Sequence, residues 1–141
     1  MLRILAPIDG SPNATRVVDY LIALAGKSRD MEIVLVNVRD AMDSPEVHRF
    51  WNAEKIHEFQ QQEGGMMLAD ARQRLDTAGV RYTAEVVIGN IAPAIAGHAK
   101  SRSCDMIVMG TRGKGTLGRL LLGSVATEVV HLAEMPVTLV K

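Results

Sequence analysis

Five short runs rich in β-branched and aliphatic residues punctuate the chain: Leu2 to Ile8, Glu32 to Val38, Arg81 to Ile88, Asp105 to Gly110 and Pro136 to Lys141. Segments with helical apolar spacing separate them, and no other feature limits the possible folds so tightly. Apolar runs of strand length that do not alternate with polar residues belong in a sheet covered on both faces. A helix between consecutive strands supplies the crossover that parallel pairing requires. The pattern predicts an α/β fold: one open, five-stranded parallel sheet with helices on both faces, spanning residues 1–141 as a single domain.

The helices carry their own punctuation. Ser11 and Pro12 suit the N-cap and the first helical position, and Ala14, Val17, Val18, Leu21, Leu24 and Ala25 follow at helical spacing. A second helix is expected from Ser44-Pro45 to Ala78, with Leu68, Ala71, Leu75 and Ala78 as its apolar face and Met66 and Met67 as core filling. Interior glycine costs about 1 kcal/mol relative to alanine, so Gly64-Gly65 predicts a kink or break, with separate turns around Val47, Phe50 and Trp51. Two further helices are expected from about Ile91 to Lys100 and from Ser124 to about Ala133.

Composition excludes several functions. Sixteen basic and sixteen acidic residues cancel, which argues against a protein that holds nucleic acid by bulk charge. The lone Cys104 can form no internal disulfide. MLRILAPID is too poor in apolar residues for a secretory core, and no run reaches the roughly 18 residues of a membrane span. A cytoplasmic protein is expected, with no membrane or nucleic-acid partner.

In open parallel sheets ligands bind beyond the carboxyl ends of the strands, where the winding reverses. Two loops stand out there. PIDGS, residues 7–11, sets Asp9 beside a helix start. GTRGKGTLGRLLLGS, residues 110–124, packs five of the twelve glycines with Arg112, Lys114 and Arg119, and no acidic residue occurs from Met106 to Thr127. This loop leads into a helix beginning at Ser124, whose free N–H groups and dipole attract anions. A Walker A loop is absent, because Gly115 is followed by Thr116 rather than Lys. Gly113, Gly115 and Gly118 match the dinucleotide G-x-G-x-x-G, but that fingerprint belongs after the first strand and needs an acid on the next one, which PVTLVK lacks.

A wider spacing is more specific. Gly110, two residues, Gly113, nine residues and Gly123-Ser124 resemble the G-2x-G-9x-G-[ST] motif of the nucleotide-binding branch of the universal stress protein family. The likeness extends over PIDGS, the Val-rich second strand, the long middle helix, Gly89, CDMIVMGTRG, GSVATEVV and MPVTLVK. The resemblance implies sheet order 3-2-1-4-5 (Rossmann-like, adenine nucleotide alpha-hydrolase-like) and ATP, with Mg²⁺, at the switch point. It puts Pro7 and Asp9 beside the ribose and phosphates, Val38 at the adenine, and Met109 and Gly110 under the ribose. Gly113, Gly123, Ser124 and Val125 would surround the phosphates. It leaves Arg112, Lys114 and Arg119 without assigned roles and carries nothing over to residues 39–67. It also places MPVTLVK at a sheet edge, where uncharged strand formers with open backbone groups favour a homodimer through residues 136–141.

Other chemistry is poorly represented. His48, His57, His98 and His131 show no metal-ligand spacing and are expected at the surface. Cys104 precedes an apolar strand and reads as an inert core thiol. No G-x-S-x-G elbow occurs, and the residues name no catalytic group and no metal ligand. Three functional classes follow: a nucleotide-dependent regulatory or stress-response protein, a slow ATP hydrolase or phosphoryl transferase using the same pocket, and a dimerising scaffold. Phosphoryl transfer needs a positioned base and metal ligands. Asp9 is the one acid that the motif loops supply, which favours binding over turnover.

Overall fold

The computed structural model describes residues 1–28, 30–112 and 122–141. Strands β1 (Leu2–Pro7), β2 (Met31–Arg39), β3 (Tyr82–Ile88), β4 (Met106–Gly110) and β5 (Val137–Val140) form one sheet in the order β3-β2-β1-β4-β5. All four pairings are parallel. The five apolar runs thus become the five strands, and the order is the one the resemblance implied. Helices α1 (Pro12–Lys27), α2 (Pro45–Phe50), α3 (Ala53–Ala78), α4 (Ile91–Ser101) and α5 (Ser124–Leu132) connect them.

Alternate residues of each strand face opposite sides, and each side builds its own core. Ile4, Ala6 and Ile8 of β1 and its extension pack with Val17, Val18 and Leu21 of α1 and Leu68, Ala71 and Leu75 of α3. Leu5, Val34, Val36 and Ile107 face Ala92, Ile95 and Ala99 of α4 and Ala126 and Val129 of α5. Strands buried on both faces explain why the runs read as continuously apolar rather than alternating.

The middle helix departs from expectation. The break falls at Trp51-Asn52 instead of Gly64-Gly65: Trp51 ends α2, and the Asn52 side chain caps α3 by accepting from the Lys55 N–H at 2.8 Å. α3 then runs unbroken through both glycines. Gly64 is buried, and a Cβ there would stand 2.5 Å from Val86 Cγ1 on β3. Its missing side chain is a contact surface, and close packing of α3 on the sheet offsets the cost in helix propensity. The buried face of α3 is Ile56, Gln60, Gly64, Leu68, Ala71 and Leu75, while Ala78 is exposed. Met66 is 64% exposed, so it fills no core, and the partly buried Met67 lies over Gly10. His98 also departs from a surface position: its side chain is 17% exposed and its Nε2 lies 2.9 Å from Glu85 Oε2. His48, His57 and His131 are exposed.

Candidate functional site

The winding reverses between β1 and β4, and there the sheet opens. β1 pairs with β2 as far as Pro7↔Val36, and β4 with β5 as far as Gly110↔Val140. The pairing of β1 with β4 is confined to Ile4↔Met106 and Leu5↔Ile107. The two strands therefore part towards their carboxyl ends. A cavity of about 500 Å³ lies in the gap, lined by Pro7 at the end of β1 and Asp9 in the turn after it, from β2 by Asn37 and Val38, from β4 by Met109 and Gly110, and from α5 by Ser124 and Val125. That volume is within the usual range for small-molecule sites, roughly 300 to 1,000 Å³.

Each wall has a local cause. After β1 the chain turns sharply. Asp9 Oδ1 accepts from the Ser11 N–H at 2.9 Å and Gly10 adopts φ +76°, a conformation side-chain-bearing residues rarely take. A Cβ on Gly10 would also stand 2.5 Å from Met67 Sδ. Asn37, 4% exposed, donates from Nδ2 to the Ile8 carbonyl at 2.7 Å and ties this turn to β2; its buried Oδ1 has no hydrogen-bond partner among the described residues.

The β4 side is held by a second set of ties. The Thr111 N–H donates to the Val140 carbonyl at 3.0 Å, and the Gly123 N–H donates to the Thr111 carbonyl at 2.6 Å, which brings the start of α5 back to the end of β4. Asn13 Nδ2 on α1 donates to the Arg112 carbonyl at 2.7 Å. A Cβ on Gly110 would collide with that Asn13 amide. The space beside Gly110 thus admits Asn13, a partner that sequence spacing did not reveal. Gly123 also takes part in these ties while lining the cavity. Its φ of −69° suits any residue, and its N–H is committed to Thr111. The first N–H groups inside α5, on Ser124, Val125 and Ala126, lack intrahelical acceptors and make this end of the cavity attractive to anions.

Of the residues singled out from sequence, Pro7, Asp9, Val38, Met109, Gly110, Gly123, Ser124 and Val125 line this one cavity. Gly113 lies outside the described residues, as do Lys114 and Arg119. Arg112 is exposed at the rim. Sequence reasoning missed Asn13, Asn37, Asp40, Met42, Gln60, Ile91 and Ile95, which also line the cavity. Asn13 and Asn37 flank quoted motifs and were accessible to inspection. Gln60 and Met42 fall in the segment where no motif guided the choice. Among the described residues no group of three or more His, Cys, Asp or Glu is placed to hold a metal.

An open parallel sheet, doubly wound, with an amide- and glycine-walled cavity at its switch point and a helix N-terminus at one end, defines the class of α/β proteins that bind small ligands at that crevice. Comparison with known proteins narrows the class. The model of the universal stress protein family matches residues 1–141. Universal stress protein MJ0531 of Methanocaldococcus jannaschii is 34% identical over 139 residues, covering 99% of this chain and 81% of its own. The chain belongs to the universal stress protein family. Among solved structures, that of hypothetical protein MJ0577 superposes with TM-score 0.82 at 28% identity, covering 99% of this chain and 94% of the other. Two more distant structures share the fold. A universal stress protein in complex with cAMP has TM-score 0.75 at 22% identity, covering 99% of this chain and 97% of its own. An Arabidopsis thaliana family member with AMP bound has TM-score 0.71 at 21%, covering 100% and 92%.

Proposed function

We propose that this chain is a nucleotide-dependent regulatory protein of the stress response that binds ATP, with Mg²⁺, in the switch-point cavity. The observation that carries this reading is the convergence of the Asp9 turn, the end of β2 and the N-terminus of α5 on one cavity of about 500 Å³. Family members of the same fold that hold AMP and cAMP support an adenine nucleotide as the ligand. The base lies at Val38, the ribose between Asp9 and Met109-Gly110, and the phosphates at Gly113, Gly123, Ser124 and Val125. Mg²⁺ enters with the triphosphate, since it binds through substrate phosphates and water more readily than through an all-protein cage. Among the described residues, Asp9 and Asp40 are the carboxylates on the cavity wall.

The same proposal makes the protein a cytoplasmic homodimer joined through β5, and makes binding rather than turnover its activity. Heat-denaturing the purified protein and weighing the released molecule by mass spectrometry identifies the ligand. Calorimetric titration should show ATP binding that Gly113→Val and Gly123→Val weaken at least tenfold, about 1.4 kcal/mol. A wild-type chain that binds no ATP, or variants that bind it equally well, would remove the reading. ATP hydrolysis should stay below about 1 s⁻¹, the lower end of ordinary enzymes. A faster rate abolished by Asp9→Asn would instead make the protein a hydrolase.

A further inference from the structure

Gln60 is a buried polar residue on the core face of α3, 4% exposed, and it lines the cavity. Its neighbours on that face, Ile56, Gly64 and Leu68, are apolar or small. A glutamine there requires partners, because a buried amide without them costs about 1 to 3 kcal/mol. One partner is identified: Nε2 donates to the Asp40 carbonyl at 2.8 Å. A carbonyl accepts only from the NH₂ end of the amide, so this bond fixes which way the amide points. Among the described residues this is the hydrogen bond the Gln60 side chain makes, through Nε2 and not through Oε1. The Asp40 carbonyl also locates the amide, two residues beyond Val38 at the base end of the cavity.

We propose that Gln60 is a base-specificity residue that presents a fixed acceptor, Oε1, to the exocyclic 6-amino group of an adenine ring. The inference rests on the nucleotide reading above and deepens it. Adenine offers a donor at position 6 and guanine offers an acceptor. An amide free to flip could serve either base, whereas one held by Asp40 meets guanine O6 acceptor to acceptor. The segment that carries Asp40 and Gln60 thus selects the base, while the glycine loop takes the phosphates whatever base is attached.

The test is calorimetric titration of wild-type, Gln60→Met and Gln60→Leu proteins with ATP, GTP and purine riboside triphosphate, which lacks the 6-amino group, with thermal melts to check folding. Wild type should prefer ATP over both other ligands by at least about tenfold, and the variants should bind all three within about threefold of one another. Variants that keep the wild-type ATP-to-GTP ratio overturn the role of Gln60 and leave nucleotide binding standing. A wild type that binds no nucleotide overturns both. If neither variant folds, Gln60→Asn, whose shorter side chain withdraws the acceptor, is read by the same ratios, and equal wild-type affinity for ATP and its 6-deamino analogue removes the inference.

Discussion

At Gly10 the backbone enters the left-handed region at φ +76° and Met67 Sδ occupies the space a side chain would need. Left-handed backbone costs an L-residue roughly 1 to 2 kcal/mol, so Gly10→Ala should lower unfolding free energy by more than about 1 kcal/mol in urea titration. Moving Met67 adds to that cost. Gly10→Ala matching wild type would mean that the turn relaxes freely. Cys104 illustrates burial acting on chemistry. It is 7% exposed, and desolvation pushes its thiol pKa above the ordinary 9.0, partly opposed by the charges of Arg3 and Arg102. Because the folded state holds the proton more tightly, Cys104's contribution to stability is fully present below pH 9.0, its ordinary value, and declines as pH rises through the raised folded value. Native protein at pH 8 should therefore react with iodoacetamide at least about tenfold more slowly than urea-unfolded protein. Equal rates would contradict the buried, protonated thiol.

Among the elements, strands were the most legible. Each apolar run became a strand within a residue or two: in β1, β2 and β4 burial on both faces leaves an unbroken signature that local sequence carries in full, while the edge strands β3 and β5 are partly buried throughout. The helix over residues 45–78 was legible in extent, and the separate turns expected around Val47, Phe50 and Trp51 are α2, but the break itself was expected too far along the chain. Propensity pointed to Gly64-Gly65, yet Gly64 sits against Val86, a contact across 22 residues of sequence that no helical periodicity encodes. Asn52, capping α3 through Lys55, was the local signal available for the true boundary. Gly64→Val makes the difference measurable. Beyond any change in helix propensity, it forces a branched side chain into the β3 face and should destabilise by about 1 to 3 kcal/mol. Gly65→Val, where a Cβ meets nothing within 4 Å, should be neutral or slightly stabilising, because valine is the better helix former. Equal effects at both positions would show that the glycines serve helix flexibility after all.

For the whole molecule, β5 is an outermost strand, and its residues Val137 to Val140 are only partly buried. α5, which leads into it, leaves Val130 and Leu132 exposed at 47% and 41%. An uncharged edge of this kind invites pairing with a second copy about a two-fold axis. Light scattering at micromolar concentration should give twice the 15.3 kDa chain mass, and Leu139→Pro, which removes one backbone donor and bends the strand, should give the single mass or aggregates. A wild type that scatters as a monomer rules out the β5 dimer. By itself, the sequence determined the five strands, their parallel character and the two loops that flank the site, because apolar runs, caps and glycine clusters are local properties. The strand order came from family resemblance. Tertiary structure alone decided what Gly10, Gly64 and Gly110 face, that Asn13 clasps the Arg112 carbonyl, and that Gln60 reaches the Asp40 carbonyl on the cavity wall. These pairings join positions 20 to 99 residues apart. Their geometry depends on how helices settle on the twisted sheet, which no local spacing specifies.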